Sequence, residues 1–177
     1  MNPALTAKIK ARIGNEIQSC DGLLRYLQNK QEKKFVIDMM AESKNIEYFL
    51  KAWRGLKTLN RIDNMAMANI LGLQIDLQNI IWAYRLKNFY GITGEASYGF
   101  MVPIRHRLSK ETFTRITMCK DTRSLQQELE TTNYKNVFGN FENPEECLFN
   151  MVKAKYRTEG RRSHIALLCG YIYEVHK

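Results

Sequence analysis

The stretch Ile70–Gly91, ILGLQIDLQNIIWAYRLKNFYG, limits what this chain can become more than any other, because its apolar residues recur at helical spacing. On a helix advancing about 100° per residue, Gln74, Gln78, Arg85 and Asn88 share one sector, the expected solvent face. The remaining arc carries Leu71, Leu73, Ile75, Leu77, Ile80, Trp82, Ala83, Tyr84, Leu86, Phe89 and Tyr90. Asp76 and Asn79 lie one turn apart inside that apolar arc. A carboxylate and an amide on a packing face must find partners or be desolvated at considerable cost. From the residues alone they read as a buried structural pair, with Asp76 meeting Arg54 or Arg61 from a packed helix.

Helical signals continue on both sides. Leu5, Ile9, Ile13 and Ile17 form one stripe, and Ser19 or Asp21 can cap a short helix holding Leu23, Leu24 and Leu27. NKQEKK reads as a solvated turn. From Ser43, a helix buried along Ile46, Phe49, Leu50, Trp53 and Leu56 is expected, and Asn60 or Asp63 caps the next one, with Met65, Met67 and Ile70. Gly72 permits a kink or break, and Gly91 a C-cap. Residues 92–104, ITGEASYGFMVPI, read as an ordered irregular loop. Ser109 and Asp121 start further helices, and TTNY ends the second. Asn143-Pro144-Glu145-Glu146 is a strong helix start. Ser163 caps a last helix that is still apolar where the chain stops, the pattern expected of a fragment. The fold class is all-α.

Three prolines, ten glycines, 45% hydrophobic and 25% charged residues fit a globular helical protein with a real core. The net charge of +9 raises the question of a polyanion. Residues 1–100 hold 14 basic and 9 acidic side chains and the rest 13 and 9, so the excess reads as general surface character. Cys20, Cys119, Cys147 and Cys169 lie far apart, and His106, His164 and His176 show no metal-binding spacing, so neither a zinc motif nor any other metal or cofactor is expected. The start MNPALTAKIK is no signal peptide, and the apolar run Ile165–Tyr173 is far short of the ~20 residues that span a bilayer. No phosphate loop, nucleophile elbow or activated Cys119 thiol emerges, and a non-enzyme is expected. Trp53, Trp82 and the tyrosines sit at helical spacing, as core rather than base-stacking platforms.

The segment YFLKAWRGLKTLNRIDNMAMANILGLQIDLQNIIWAYRLKNFYG resembles the mid-chain signature of the rotor-cap subunit of V/A-type ATPases, called C in bacteria and archaea and d in eukaryotes. The family pattern is an aromatic-rich helix, a polar turn, then I-D-x-x-N with basic residues beyond: here Ile75, Asp76, Asn79, Arg85 and Lys87. MVPIRHRLSK and the segment after it are similar to the family's I-P loop and its T-x-Y motif, the latter being Thr131 or Thr132 with Tyr134. GYIYEVHK resembles the start of a further repeat. The resemblance covers roughly residues 44–177, about half of a member built from three similar helical units.

That resemblance implies an N-terminal segment 1–43, a central unit 44–138 and the start of a following unit 139–177, arranged as a funnel-like array of short helices. It implies a non-catalytic central-stalk component whose partners are the shaft subunits and the membrane rotor ring, held peripherally on the cytoplasmic side of the membrane. The coupling ion, and pump or synthase direction, are set elsewhere in such a complex. Candidate anchor or partner-binding residues are Asp76, Asn79, Arg85, Lys87, Tyr90, Arg105 and Arg107. Of these, Arg85 and Lys87 are expected in solvent, and Arg105-His106-Arg107 forms a compact cation cluster that could meet acidic shaft residues or lipid heads. Lys153, Lys155, Arg157, Arg161 and Arg162 read as a solvated helix face. The alternative function is a basic helical module that binds nucleic acid or protein.

Overall fold

The computed structural model of the chain describes residues 30–39, 45–135 and 142–175. These form eight α-helices and no strand: α1 (Lys30–Met39), α2 (Ile46–Gly55), α3 (Arg61–Tyr90), α4 (Glu95–Tyr98), α5 (Lys110–Met118), α6 (Thr122–Glu130), α7 (Pro144–Glu159) and α8 (His164–Val175). The helices expected over 3–18 and around Leu23–Leu27 lie outside the described residues. The all-α class holds.

Most helix starts follow from side-chain caps that satisfy otherwise orphaned N–H groups. Asn45 accepts the Tyr48 N–H at 2.9 Å, and Ser109 the Thr112 N–H at 3.1 Å. Asp121 and Ser124 form a reciprocal capping box. Asn60, not Asp63, caps α3, its Oδ1 taking the Ile62 and Asp63 N–H groups at 3.0 Å each. Of NKQEKK, residues 30–34 lie in α1 rather than in a turn. Lysine, glutamine and glutamate all favour helix, and Phe35 and Val36 just beyond them are buried.

Helix α3 runs unbroken through Gly72. That glycine serves close approach, not a kink: a Cβ there would lie 2.5 Å from His106 Cγ. Gly91 ends the helix with φ +64°, a conformation in which a side chain is strained. One turn of helix, α4, interrupts the loop expected over 92–104. It is followed by the irregular stretch that α3 holds.

The chain divides into two compact units, one drawn from Met1–Ile70 with Lys153–Lys177 and the other from Leu71–Val152. In the first, α1 packs on α2 and on α8. Its core includes Phe35, Phe49, Met67, Ile70, Tyr156, Ile165 and Leu168. The buried face of α2 is Tyr48, Phe49 and Ala52, so Leu50 and Trp53 are only half-buried, one step round from the expected stripe. In the second, α4 packs on α5 and α5 on α6. Leu71, Ile75, Leu77, Ile80, Ile116 and Leu125 are fully or nearly fully enclosed there. Phe89 and Tyr90, expected on the packing arc, are 66% and 71% exposed.

Candidate functional site

Asp76 and Asn79 organise the second unit from the middle of α3. Both are buried, Asp76 completely. Asn79 makes a two-way clasp with one backbone residue: its Nδ2 donates to the Val102 carbonyl at 3.0 Å, and its Oδ1 accepts the Val102 N–H at 2.8 Å. One turn earlier, Asp76 Oδ1 accepts the His106 N–H at 3.1 Å and Oδ2 the Arg107 N–H at 2.7 Å. The Tyr134 hydroxyl donates to the same Oδ2 at 2.8 Å. The spacing i, i+3 puts both polar side chains on one helix face, and together they satisfy three amides of a stretch with no secondary structure of its own. Pro103, in the middle of that stretch, has no N–H to satisfy.

The carboxylate is therefore held by amide dipoles and a phenol, not by Arg54 or Arg61 as expected. Arg54 turns its Nε to the Leu50 carbonyl within α2. Tyr134 is aimed by its own local motif. Of the two threonines, Thr132 does this, its Oγ1 accepting the Tyr134 N–H at 3.0 Å and donating to the Leu129 carbonyl at 2.7 Å. Burial, and then the neighbouring Asp76 carboxylate, push the Tyr134 phenol well above its ordinary range, so it stays a donor. The two segments after α3 that drew notice in the sequence, MVPIRHRL and TTNY, thus converge on the polar pair in the helix.

Lys87 corrects a second expectation. It is buried, and its Nζ donates to the Thr117 carbonyl at 3.2 Å, which the Ser97 hydroxyl also reaches at 2.9 Å. Thr117 lies in the last turn of α5, where the helix dipole favours a cation. Burial holds the Lys87 ammonium below the usual lysine range. Gln74, placed on the solvent face by its helical angle, is also buried.

The remaining candidates are at the surface. Arg85 pairs with Glu145 of α7, both half-exposed. Arg105 and Arg107 are exposed on either side of half-buried His106, so the Asp76 clasp fixes the backbone from which both guanidiniums project. Tyr90, Phe89, Tyr98 and Phe100 are exposed aromatics that helical periodicity did not single out as surface. Burial pushes the Cys119 thiol up, so it is no activated nucleophile.

Division into units also changes the reading of charge. Leu71–Val152 holds nine basic and nine acidic residues, so the chain's +9 belongs entirely to the other unit. There the basic run over residues 153–162 is only partly offset, since two carboxylates serve four cations. Lys153 and Arg157 pair with Glu174, and Lys155 and Arg162 with Glu159. Among the described residues no helix is long and apolar enough to cross a membrane.

A model of the family described as ATP synthase (C/AC39) subunit matches residues 15–174. No curated protein and no solved structure matches the chain.

Proposed function

The chain belongs to the ATP synthase (C/AC39) subunit family, and from that premise we propose that it is a non-catalytic rotor component linking the turning shaft of a V/A-type ATPase to the membrane ring that moves ions. The match over residues 15–174 is the observation that carries this reading. The geometry supports it in kind. A part that transmits torque needs surfaces held rigidly in register, and α3 secures the backbone of residues 102–107 by side-chain hydrogen bonds at two successive turns. The exposed Arg105 and Arg107, with exposed Tyr90, are the proposed contact residues, and arginine and tyrosine are enriched at protein interfaces. Arg85 belongs to this surface through its pair with Glu145. Asp76 and Asn79 act from within as anchors, while Lys87 reaches the Thr117 carbonyl that Ser97 also serves.

In this reading the protein sits peripherally on the cytoplasmic side of the membrane, its membrane contact made through the ring. The N-terminal segment 1–43, the central unit 44–138 and the start of a following unit 139–177 all belong to that component. Co-purification of tagged protein with the shaft and ring subunits of the same cell tests the proposal. Recovery of both supports it, and recovery of neither refutes it.

A further inference from the structure

In the first unit, three potential metal ligands far apart in sequence come together: Glu32 on α1, Asp63 in the first turn of α3 and His164 at the start of α8. One ligand atom from each lies within 4.8 Å of the other two. His164 Nδ1 is 3.4 Å from Asp63 Oδ2, and its Nε2 is 3.7 Å from Glu32 Oε2. Asp63 is 1% exposed. Among the described residues, no lysine or arginine pairs with either carboxylate. A neutral imidazole has a single N–H, so with a carboxylate at each nitrogen one pair meets lone pair to lone pair. That arrangement calls for a cation.

We propose that Glu32, Asp63 and His164 bind one zinc-type divalent cation that ties α1 to α3 and α8. Nitrogen and oxygen ligands at ~2.0–2.2 Å around a tetrahedral ion stand roughly 3.4 Å from one another. Only one ring nitrogen of His164 can ligate a given ion; with one atom from each residue the three lie within 4.8 Å of one another, and side-chain adjustments of about an ångström bring them to that spacing. Asp63 is held for such a role. Its Oδ1 accepts the Ser163 hydroxyl and its Oδ2 the Asn60 amide, each at 2.5 Å. Hydrogen bonds of this kind orient ligating carboxylates and leave further lone pairs for a metal. His164, the most exposed of the three, leaves room for water in the fourth position. Sequence spacing could not show this site, because 131 residues separate the first ligand from the last.

The test is titration of the chelator-treated full chain with zinc chloride by calorimetry, with thermal unfolding followed in parallel. Wild type should bind one equivalent and melt higher when loaded. Glu32→Gln and His164→Gln should each weaken binding at least about tenfold while melting like wild type without metal. Two substitutions guard against one that merely unfolds the chain. No saturable binding overturns the proposal. So does binding that survives both substitutions, as zinc on cysteine thiols would. A melting temperature that ignores zinc overturns it too.

Discussion

Replacing Asp76 by alanine removes one acceptor from three donors at once: the His106 and Arg107 amides and the Tyr134 hydroxyl. A buried donor left without its partner costs about 1–3 kcal/mol. The two amides are only partly buried, so water recovers some of that, and the total comes to roughly 3–5 kcal/mol. This is a large share of the ~5–15 kcal/mol that holds a typical domain together. Asp76→Asn keeps the shape and one acceptor oxygen but turns an NH₂ group toward donors, for a loss of about 2–4 kcal/mol. Tyr134→Phe removes one of the three bonds and costs about 1–2 kcal/mol. Urea unfolding in a Trp53→Phe background, followed by Trp82 fluorescence, reports on the unit that contains the cradle. The order of loss should be D76A, then D76N, then Y134F. A D76A protein within about 1 kcal/mol of wild type, or a Y134F protein as damaged as D76A, would refute the cradle as the organising contact.

Gly72→Ala should destabilise by about 1–2 kcal/mol in the same assay even though alanine favours helix, because the added carbon meets the root of the His106 ring, whose backbone Asp76 pins. A more stable variant would show that the stretch can shift freely. Lys87→Met should stay within about 1 kcal/mol of wild type, since it removes a desolvated ammonium while Ser97 still serves the Thr117 carbonyl; a loss above about 3 kcal/mol would make the cation essential. Burial pushes the Cys169 thiol up to about 12, whereas an unfolded thiol ionises near ~8.5. Its contribution is therefore complete below that lower value and is lost as pH rises through about 12. Cys169→Ala should flatten the alkaline fall in stability by up to one proton, about 1.4 kcal/mol per pH unit, and an unchanged slope would contradict this. Reversing Arg105 and Arg107 together to glutamate should leave the melting temperature within a few degrees of wild type and weaken recovery of shaft or ring subunits. Unaltered recovery would remove these arginines from the interface.

Much of the fold was legible because helices announce themselves locally. Ser109, Asp121 and Pro144 set helix starts by short-range hydrogen bonding and backbone geometry, and the structure keeps them. The importance of Asp76 and Asn79 was legible too, as polar groups on an apolar arc. Their partners were not, because three are backbone amides 23 to 31 residues away, which carry no residue-type signal, and the fourth, the Tyr134 hydroxyl, lies 58 residues on. The expectation of an arginine partner came from charge pairing alone. Gln74 and Lys87 were misplaced for a related reason: helical angle separates inside from outside only where neighbours cover a single face. Phe89 and Tyr90 failed in the opposite sense: periodicity put them on the packing arc, and they are exposed. Charge counted by halves of the chain looked even, yet the units interleave in sequence and the excess lies wholly in one of them.

The central claim is that two side chains of α3 hold an irregular stretch as firmly as a helix is held. Native-state hydrogen exchange at the Val102, His106 and Arg107 amides measures this directly. Those three should exchange roughly a hundredfold or more slowly than open-chain amides, and His106 and Arg107 should lose that protection in Asp76→Asn while Val102 keeps more of it. Exchange of all three at open-loop rates in the wild-type protein would contradict the account.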